Sequence, residues 1–181
     1  MDNYIRNAVN DINVKLDWAI RSFDKLMSNK KDKNEIQDNF WSFLTAFQTS
    51  WFYYNRLIKE LTPDLSDKKR KELSVKVIDF WKSTELSENE RISWDILQDL
   101  RNEDTHRIPI KTNYEIRIVV FADSDGAILV DSDGAYLTGN SEEIFVIFNG
   151  KEFDIEYLAK NGIDSVKKLI EFLPNIKNNW C

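Results

Sequence analysis

The sequence predicts a mainly α fold, in which an antiparallel four-helix bundle is followed by a small antiparallel β-meander and a C-terminal helix. Apolar residues recur at helical spacing as far as Pro109, and beyond it they alternate as in strands. Hairpin turn signals and a last helical stripe complete the chain. We therefore expect a helical bundle over residues 1–108 and a meander with a C-terminal helix over residues 109–181.

The first two helices follow from apolar stripes that step by three and four residues. The stripe of the first helix contains Ile5, Val9, Ile12, Leu16, Ala19, Phe23 and Leu26. A second, strongly aromatic helix should run from about Asn34 to Leu61, where Thr62-Pro63 ends it. Its expected core residues are Phe40, Phe43, Leu44, Phe47, Trp51, Tyr54, Leu57 and Ile58.

Two further helices follow after short connections. Ser66 should begin a third helix, whose inner residues are Leu73, Val77, Ile78 and Trp81. Ser87 and Glu90 have the spacing of a capping box and should begin a fourth helix. Its expected core stripe is Ile92, Ile96, Leu97 and Leu100. Four helices joined by short connections favour an antiparallel bundle.

The C-terminal part contains strand signals over Tyr114–Phe121 and Glu143–Phe148, and Asn149-Gly150 is a strong two-residue turn. Between the strands, the motif Asp-Ser-Asp-Gly-Ala occurs at residues 123–127 and again at 131–135. Such aspartates could bind calcium, but Tyr136 occupies the position where a calcium loop requires glycine, so two hairpin turns are favoured. A last helix from Asp164 to Leu173, before Pro174, should cover the meander.

Composition limits the function classes. No apolar segment is long enough to cross a bilayer and no secretory pattern begins the chain, so we expect a cytoplasmic protein without membrane contact. The single cysteine, Cys181, excludes an intrachain disulfide and a zinc cluster, and we expect neither a metal nor a cofactor. A net charge of -6 argues against general wrapping of nucleic acid, although a local basic cleft stays compatible with it.

The candidate site lies at the end of the fourth helix, where Arg101, Asn102 and the single histidine, His106, occur together. Asn102 and His106 are four residues apart and therefore adjacent on a helix. Arg101 and His106 point about 140° apart on an ideal helix, so they could share one phosphate only if the helix loosens or a second subunit completes the site. Trp94 lies on the stripe of Arg101, and we expect it to face outward as a dimer contact or a base-stacking surface.

These residue types suit RNA cleavage without a metal. That reaction needs a base for the 2′-hydroxyl proton, an acid for the leaving 5′-oxygen and a cation for the phosphorane. Histidine can perform either proton transfer, and arginine offers a planar, permanently charged partner for phosphate. One histidine per chain is half of an acid–base pair, so a two-fold homodimer would supply both.

With this motif, Arg101-Asn102 followed by His106, the chain resembles the HEPN domains (higher eukaryotes and prokaryotes nucleotide-binding). The aromatic helix around residues 40–50 is similar to one in several members, and the resemblance covers about residues 1–108. It implies a four-helix bundle that dimerises around the motif and cleaves RNA to 2′,3′-cyclic phosphate ends. Arg101 would bind phosphate, His106 would be the catalytic histidine, and Asn102 the polar residue beside them.

Many members of this family are toxins, phage-defence effectors or RNA-processing factors, so an antitoxin is among the partners that the resemblance implies. Members modified by a partnered nucleotidyltransferase carry a tyrosine two positions after the histidine, where this sequence has Ile108. That departure argues against an antitoxin of this kind. The alternative hypothesis is a non-catalytic relative that binds RNA or nucleotides or mediates protein association.

Overall fold

The structure, a computed structural model, describes residues 2–29, 32–106, 112–120 and 138–180, and at positions 33, 103–106, 112–120, 138–142 and 178 it describes the backbone alone. The described parts are mainly helical, as predicted, and they also form a three-stranded antiparallel sheet. The elements are α1 (Asn3–Ser28), α2 (Lys33–Leu61), α3 (Asp67–Glu85), α4 (Glu88–His106), β1 (Thr112–Val120), β2 (Thr138–Phe148), β3 (Lys151–Asp154) and α5 (Ile155–Trp180). None of the described helices is both long and apolar enough to span a membrane.

Among the elements that the structure describes, α1 and α2 have the most extensive contact. Each begins at an aspartate that caps it: Asp2 Oδ1 accepts a hydrogen bond from the Tyr4 amide at 2.9 Å, and Asp32 Oδ1 accepts one from the Asn34 amide at 2.9 Å. The apolar stripe predicted for α1 is largely buried. The predicted core of α2 is buried as well, except Trp51, which is partly exposed.

Helices α3 and α4 begin where the sequence predicts. Ser66 precedes α3, whose inner face buries Val77, Ile78 and Trp81. A buried hydrogen bond from Tyr54 Oη to the Ser74 carbonyl oxygen, 2.8 Å long, ties α2 to α3. This hydrogen bond holds α3 against the aromatic part of α2 and gives the buried tyrosine hydroxyl the partner that it needs.

The last helix differs from the prediction. It was expected over Asp164–Leu173, but α5 begins at Ile155 and continues through Pro174 to Trp180. Asp154 caps it, because its Oδ1 accepts a hydrogen bond from the Tyr157 amide at 3.0 Å. Proline inside a helix removes one hydrogen bond and crowds the preceding turn. Burial of Ile176 beyond the proline offsets this loss.

Helix α5 packs mainly against α4 and α1, and it also contacts β2 and β3. It therefore covers the sheet with only part of its surface, whereas the sequence predicts only that it covers one face of the sheet and does not predict its contacts with α4 and α1. One continuous hydrophobic core includes buried residues of all five helices and of β2, such as Leu16, Phe47, Leu97, Val146 and Leu169. The division of the chain into residues 1–108 and 109–181 stays a prediction.

The sheet has the order β1-β2-β3 with antiparallel neighbours. Val120 pairs with Thr138 in the β1–β2 ladder, and Phe148 pairs with Lys151 in the β2–β3 ladder. The turn between β2 and β3 has positive φ at both Asn149 (51°) and Gly150 (75°), as the predicted Asn-Gly turn requires. The predicted turns at residues 123–127 and 131–135, and the calcium alternative, lie outside the described residues.

Candidate functional site

The three candidate residues lie on the last turns of α4. This helix begins with the predicted capping box: the Ser87 amide donates to Glu90 Oε2 at 2.7 Å, and the Glu90 amide donates to Ser87 Oγ at 3.3 Å. The backbone of α4 is helical as far as His106. Arg101 and His106 therefore leave the helix axis about 140° apart, since the helix does not loosen between them.

Arg101 is held against an aromatic ring of the neighbouring helix. Its guanidinium carbon lies 4.3 Å from the centroid of the Trp41 ring on α2. A cation at this distance from an indole face is attracted by the ring quadrupole. The side chain of Arg101 is partly buried, so Trp41 fixes the position of a charge that still reaches the surface.

Asn102 is also held by a side chain of α2. Gln48 Nε2 on α2 donates a hydrogen bond to Asn102 Oδ1 at 3.2 Å. Trp41 and Gln48, seven residues apart, lie two turns from each other on one side of α2, so both partners of the site come from one helix face. The side chain of His106 lies outside the described side chains, and the roles of Arg101, Asn102 and His106 stay predictions.

Trp94 does not face outward as expected. It is 3% exposed, and its ring packs edge-on against Phe47 at 4.9 Å and against Trp81 at 5.0 Å. Ile92, which was expected in the core, is 46% exposed instead. The indole offers more apolar area than isoleucine and fills the space between two other rings, so it takes the inner position. Trp94 is therefore neither a dimer contact nor a base-stacking surface.

Gln98 lies one turn before Arg101 and Asn102. Its Nε2 is buried and has no hydrogen-bond partner among the residues that the structure describes. A buried amide donor without a partner loses its interaction with water and gains nothing in return. This N–H group is a donor within one helical turn of the candidate site.

A surface groove of about 250 Å³ lies between α1 and α2 beside Trp41. Its walls include Trp18 and Lys15 from α1, and Lys15 Nζ lies 3.8 Å from the centroid of the Trp18 ring. Trp18 is 51% and Trp41 is 39% exposed, so both indoles can be reached from solution. The sequence reasoning missed both residues. One signal in the sequence was available: Trp18 lies off the apolar stripe of α1. A large aromatic residue at such a position faces away from the core and needs another explanation.

The acidic side chains that the structure describes offer no site for a metal ion. Among the residues whose side chains are described, no group of three His, Cys, Asp or Glu lies close enough together to hold a metal ion. The acidic repeat at residues 123–135 lies outside that set. The described site contains a positioned arginine, the amide side chains of Gln48, Gln98 and Asn102, and the exposed indoles of Trp18 and Trp41.

Compared with protein-family models, with curated proteins and with solved structures, this chain matches none of them.

Proposed function

We propose that this protein is a HEPN-like endoribonuclease that cleaves RNA without a metal ion and acts as a homodimer. The observation that carries the proposal is the contact of Arg101 with Trp41. Arg101 lies on α4, and the last residue of α4 is His106. The contact places a permanent cation at the surface, one and a half turns from the residue that can transfer a proton. The four-helix HEPN arrangement of α1–α4 is part of this proposal.

The proposed reaction uses two histidines. Neutral His106 removes the 2′-hydroxyl proton, and the 2′-oxygen attacks the adjacent phosphorus. The bond from phosphorus to the 5′-oxygen breaks, and the leaving oxygen takes a proton from the protonated His106 of the partner subunit. The products are a 2′,3′-cyclic phosphate and a 5′-hydroxyl. Arg101 stabilises the charge that develops on the phosphorane.

The need for a second subunit follows from the geometry of α4. Within one chain, Arg101 and His106 point about 140° apart, and α4 is helical between them. A two-fold dimer brings the arginine of one chain towards the histidine of the other. Gln48 holds Asn102 by its Oδ1, so in this scheme Asn102 Nδ2 would donate to the imidazole of His106.

An RNA substrate is the expected partner, and a cytoplasmic location would give access to it. A role as a toxin or as a phage-defence effector, with or without an antitoxin, would follow from such an activity. Binding of RNA or nucleotides without cleavage is the alternative, and the groove beside Trp41 is the feature that favours it.

The test mixes subunits. Purified wild-type protein is incubated in EDTA with a labelled single-stranded RNA and, separately, with the same sequence carrying 2′-O-methyl groups. We expect cleavage of the first only, with 2′,3′-cyclic phosphate ends. Wild-type protein is then exchanged with increasing amounts of His106→Ala chains. If one site needs both histidines, activity falls with the square of the wild-type fraction.

The matched control is Arg91→Ala, which removes an exposed arginine from the other end of α4. It should cleave like the wild type. An RNA that the wild type binds but does not cleave would leave the binding alternative. Activity that falls in direct proportion to the wild-type fraction would contradict the shared site.

A further inference from the structure

The groove between α1 and α2 combines aromatic and cationic side chains in a repeated way. Each of its two exposed indoles carries a cation on its ring: Lys15 lies over Trp18 at 3.8 Å, and Arg101 lies over Trp41 at 4.3 Å. Thr45 and Ala46 of α2 also line the groove. Two indoles, each in contact with a cation, suit a ligand that has both flat rings and negative charges.

The chemistry of single-stranded RNA fits this pattern. Unpaired bases stack on aromatic side chains, and the phosphates between them are attracted by lysine and arginine. The protein has a net charge of -6. Its overall field therefore repels RNA, and attraction must come from local groups such as Lys15 and Arg101.

The size of the groove limits what it can hold. Its volume of about 250 Å³ lies below the range of about 300–1,000 Å³ that is typical of pockets for drug-sized ligands. A single base fits such a space better than a dinucleotide. Because Arg101 contacts Trp41, a base in the groove would lie next to the phosphate that Arg101 binds.

We propose that the groove lined by Trp18 and Trp41 binds one unpaired base of the RNA, directly adjacent to the cleaved phosphate. This inference rests on the proposed function and adds a substrate requirement to it: cleavage takes place in single-stranded RNA, next to a base that can leave its stack. Lys15 attracts the phosphate on the far side of that base. The cations on both rings favour an anionic ligand over the apolar surface of a protein.

The experiment measures binding in the His106→Ala background, so that the RNA is not cleaved. A fluorescein-labelled RNA of eight nucleotides is titrated with the protein, and anisotropy gives the Kd. Trp18→Ala should weaken binding about tenfold, as expected for the loss of one stacking partner, and Trp18→Phe should retain most of the affinity. Phe52→Ala is the matched control, because it removes a 63% exposed aromatic ring of α2 that does not line this groove but borders a separate depression with Asn55 and Arg56.

A second measurement changes the RNA instead of the protein and then compares the result with the Trp18→Ala variant. The RNA is replaced by a series in which one position at a time is abasic. We expect one position to lose about tenfold in affinity, and the same position to lose nothing further in the Trp18→Ala protein. Equal affinities along the whole abasic series, or equal Kd values for Trp18→Ala and Phe52→Ala, would overturn the proposal.

Light scattering on the same samples tests whether a second copy of the chain, and not a base, occupies the groove. If Trp18→Ala turns a dimer into a monomer, the groove is an interface with a second copy and the base-binding proposal is wrong. Cleavage by the wild-type protein tests the proposed function separately from binding in the groove. An absence of cleavage by the wild type together with Trp18-dependent binding would remove the nuclease proposal, and with it the position beside a cleaved phosphate, and would keep only the binding of an unpaired base in the groove.

Discussion

The two ends of helix α4 use their polar residues differently. At the first turn, Ser87 and Glu90 bind each other, and Lys168 Nζ of α5 donates to Glu90 Oε2 at 2.6 Å. At the last turns, Arg101 and Asn102 are held by side chains of α2, and the described helix ends at His106. At the first end the charged groups are paired with each other, whereas at the second end the charge of Arg101 lies beside an open groove.

The difference separates polar residues that serve the fold from those that are available for chemistry. Glu90 is 7% exposed. Burial alone raises the pKa of its carboxyl group, but the hydrogen bonds from Lys168 and from the Ser87 amide outweigh that effect and place the pKa below its ordinary value. A buried carboxylate that is stabilised in this way contributes to folding. Changes at the first end should therefore alter stability, and changes at the second end should alter activity.

The largest expected effect is on Arg101. Arg101→Ala should lower the rate of RNA cleavage by about 100-fold or more, because it removes the cation that stabilises the phosphorane. Arg101→Lys should restore only part of the rate, since an ammonium lacks the planar fit to phosphate and rests less well on Trp41. Single-turnover rates and thermal melts check both statements.

Neither Arg101 variant should lose more than about 1 kcal/mol of stability, because the side chain reaches the surface and its contact with Trp41 is of the size of a single cation–π pair. A melting temperature that falls together with the activity would show that Arg101 serves the fold. The contrast between the two ends of α4 would then fail.

The next effect is on Glu90. Glu90→Ala should destabilise the protein by about 2 kcal/mol, because it removes a helix cap and a charge-assisted hydrogen bond from Lys168. Because the pKa of Glu90 is lowered in the folded state, its contribution is present above the ordinary glutamate pKa of 4.5 and is lost as the pH falls further. Glu90→Gln should therefore unfold with a weaker pH dependence below about pH 4.5. Urea melts between pH 3 and pH 7 test this.

The position of the fold's last helix shows where sequence reasoning reached its limit. Capping residues and apolar spacing are local signals, and they located the first four helices and the Asn149-Gly150 turn. The bounds of helix α5 could not be predicted from local signals, because they depend on contacts with other parts of the chain. Pro174 and Gly162 both indicate a helix end by local rules, but Leu173 and Ile176 are fully buried on either side of the proline, and this tertiary burial keeps the helix intact.

The same limit applies to the site. Arg101, Asn102 and His106 could be found in the sequence because they form a short motif on one helix. Trp41, Gln48 and the groove could not, because their relation to Arg101 exists only once α2 packs beside α4. Trp94 was assigned to the wrong face for a similar reason, since the angle of α4 is set by the rings of Phe47 and Trp81 that surround it.

A smaller effect is expected at Gly162, where α5 approaches α4. A Cβ atom at this position would overlap the Leu97 side chain and would lie 3.4 Å from the Phe47 ring. Gly162→Ala should destabilise by about 1 kcal/mol, since the overlap in a closed core exceeds the gain in helix propensity. Gly162→Val should lose more. A stabilised Gly162→Ala protein in denaturant melts would mean that Leu97 can move aside.

The smallest expected effect concerns Ser93, which lies in the first half of α4 and is fully buried. Its Oγ has no hydrogen-bond partner within the described part of the chain, unlike the satisfied groups of Ser87 and Glu90. Ser93→Ala removes a buried hydroxyl that gains nothing there, and alanine also has the higher helix propensity. The variant should be more stable by about 0.5 kcal/mol in urea melts, and its cleavage rate should equal that of the wild type. A loss of stability would mean that the hydroxyl serves the fold like its polar neighbours, whereas a loss of activity alone would place a functional group in the half of α4 that we assign to folding.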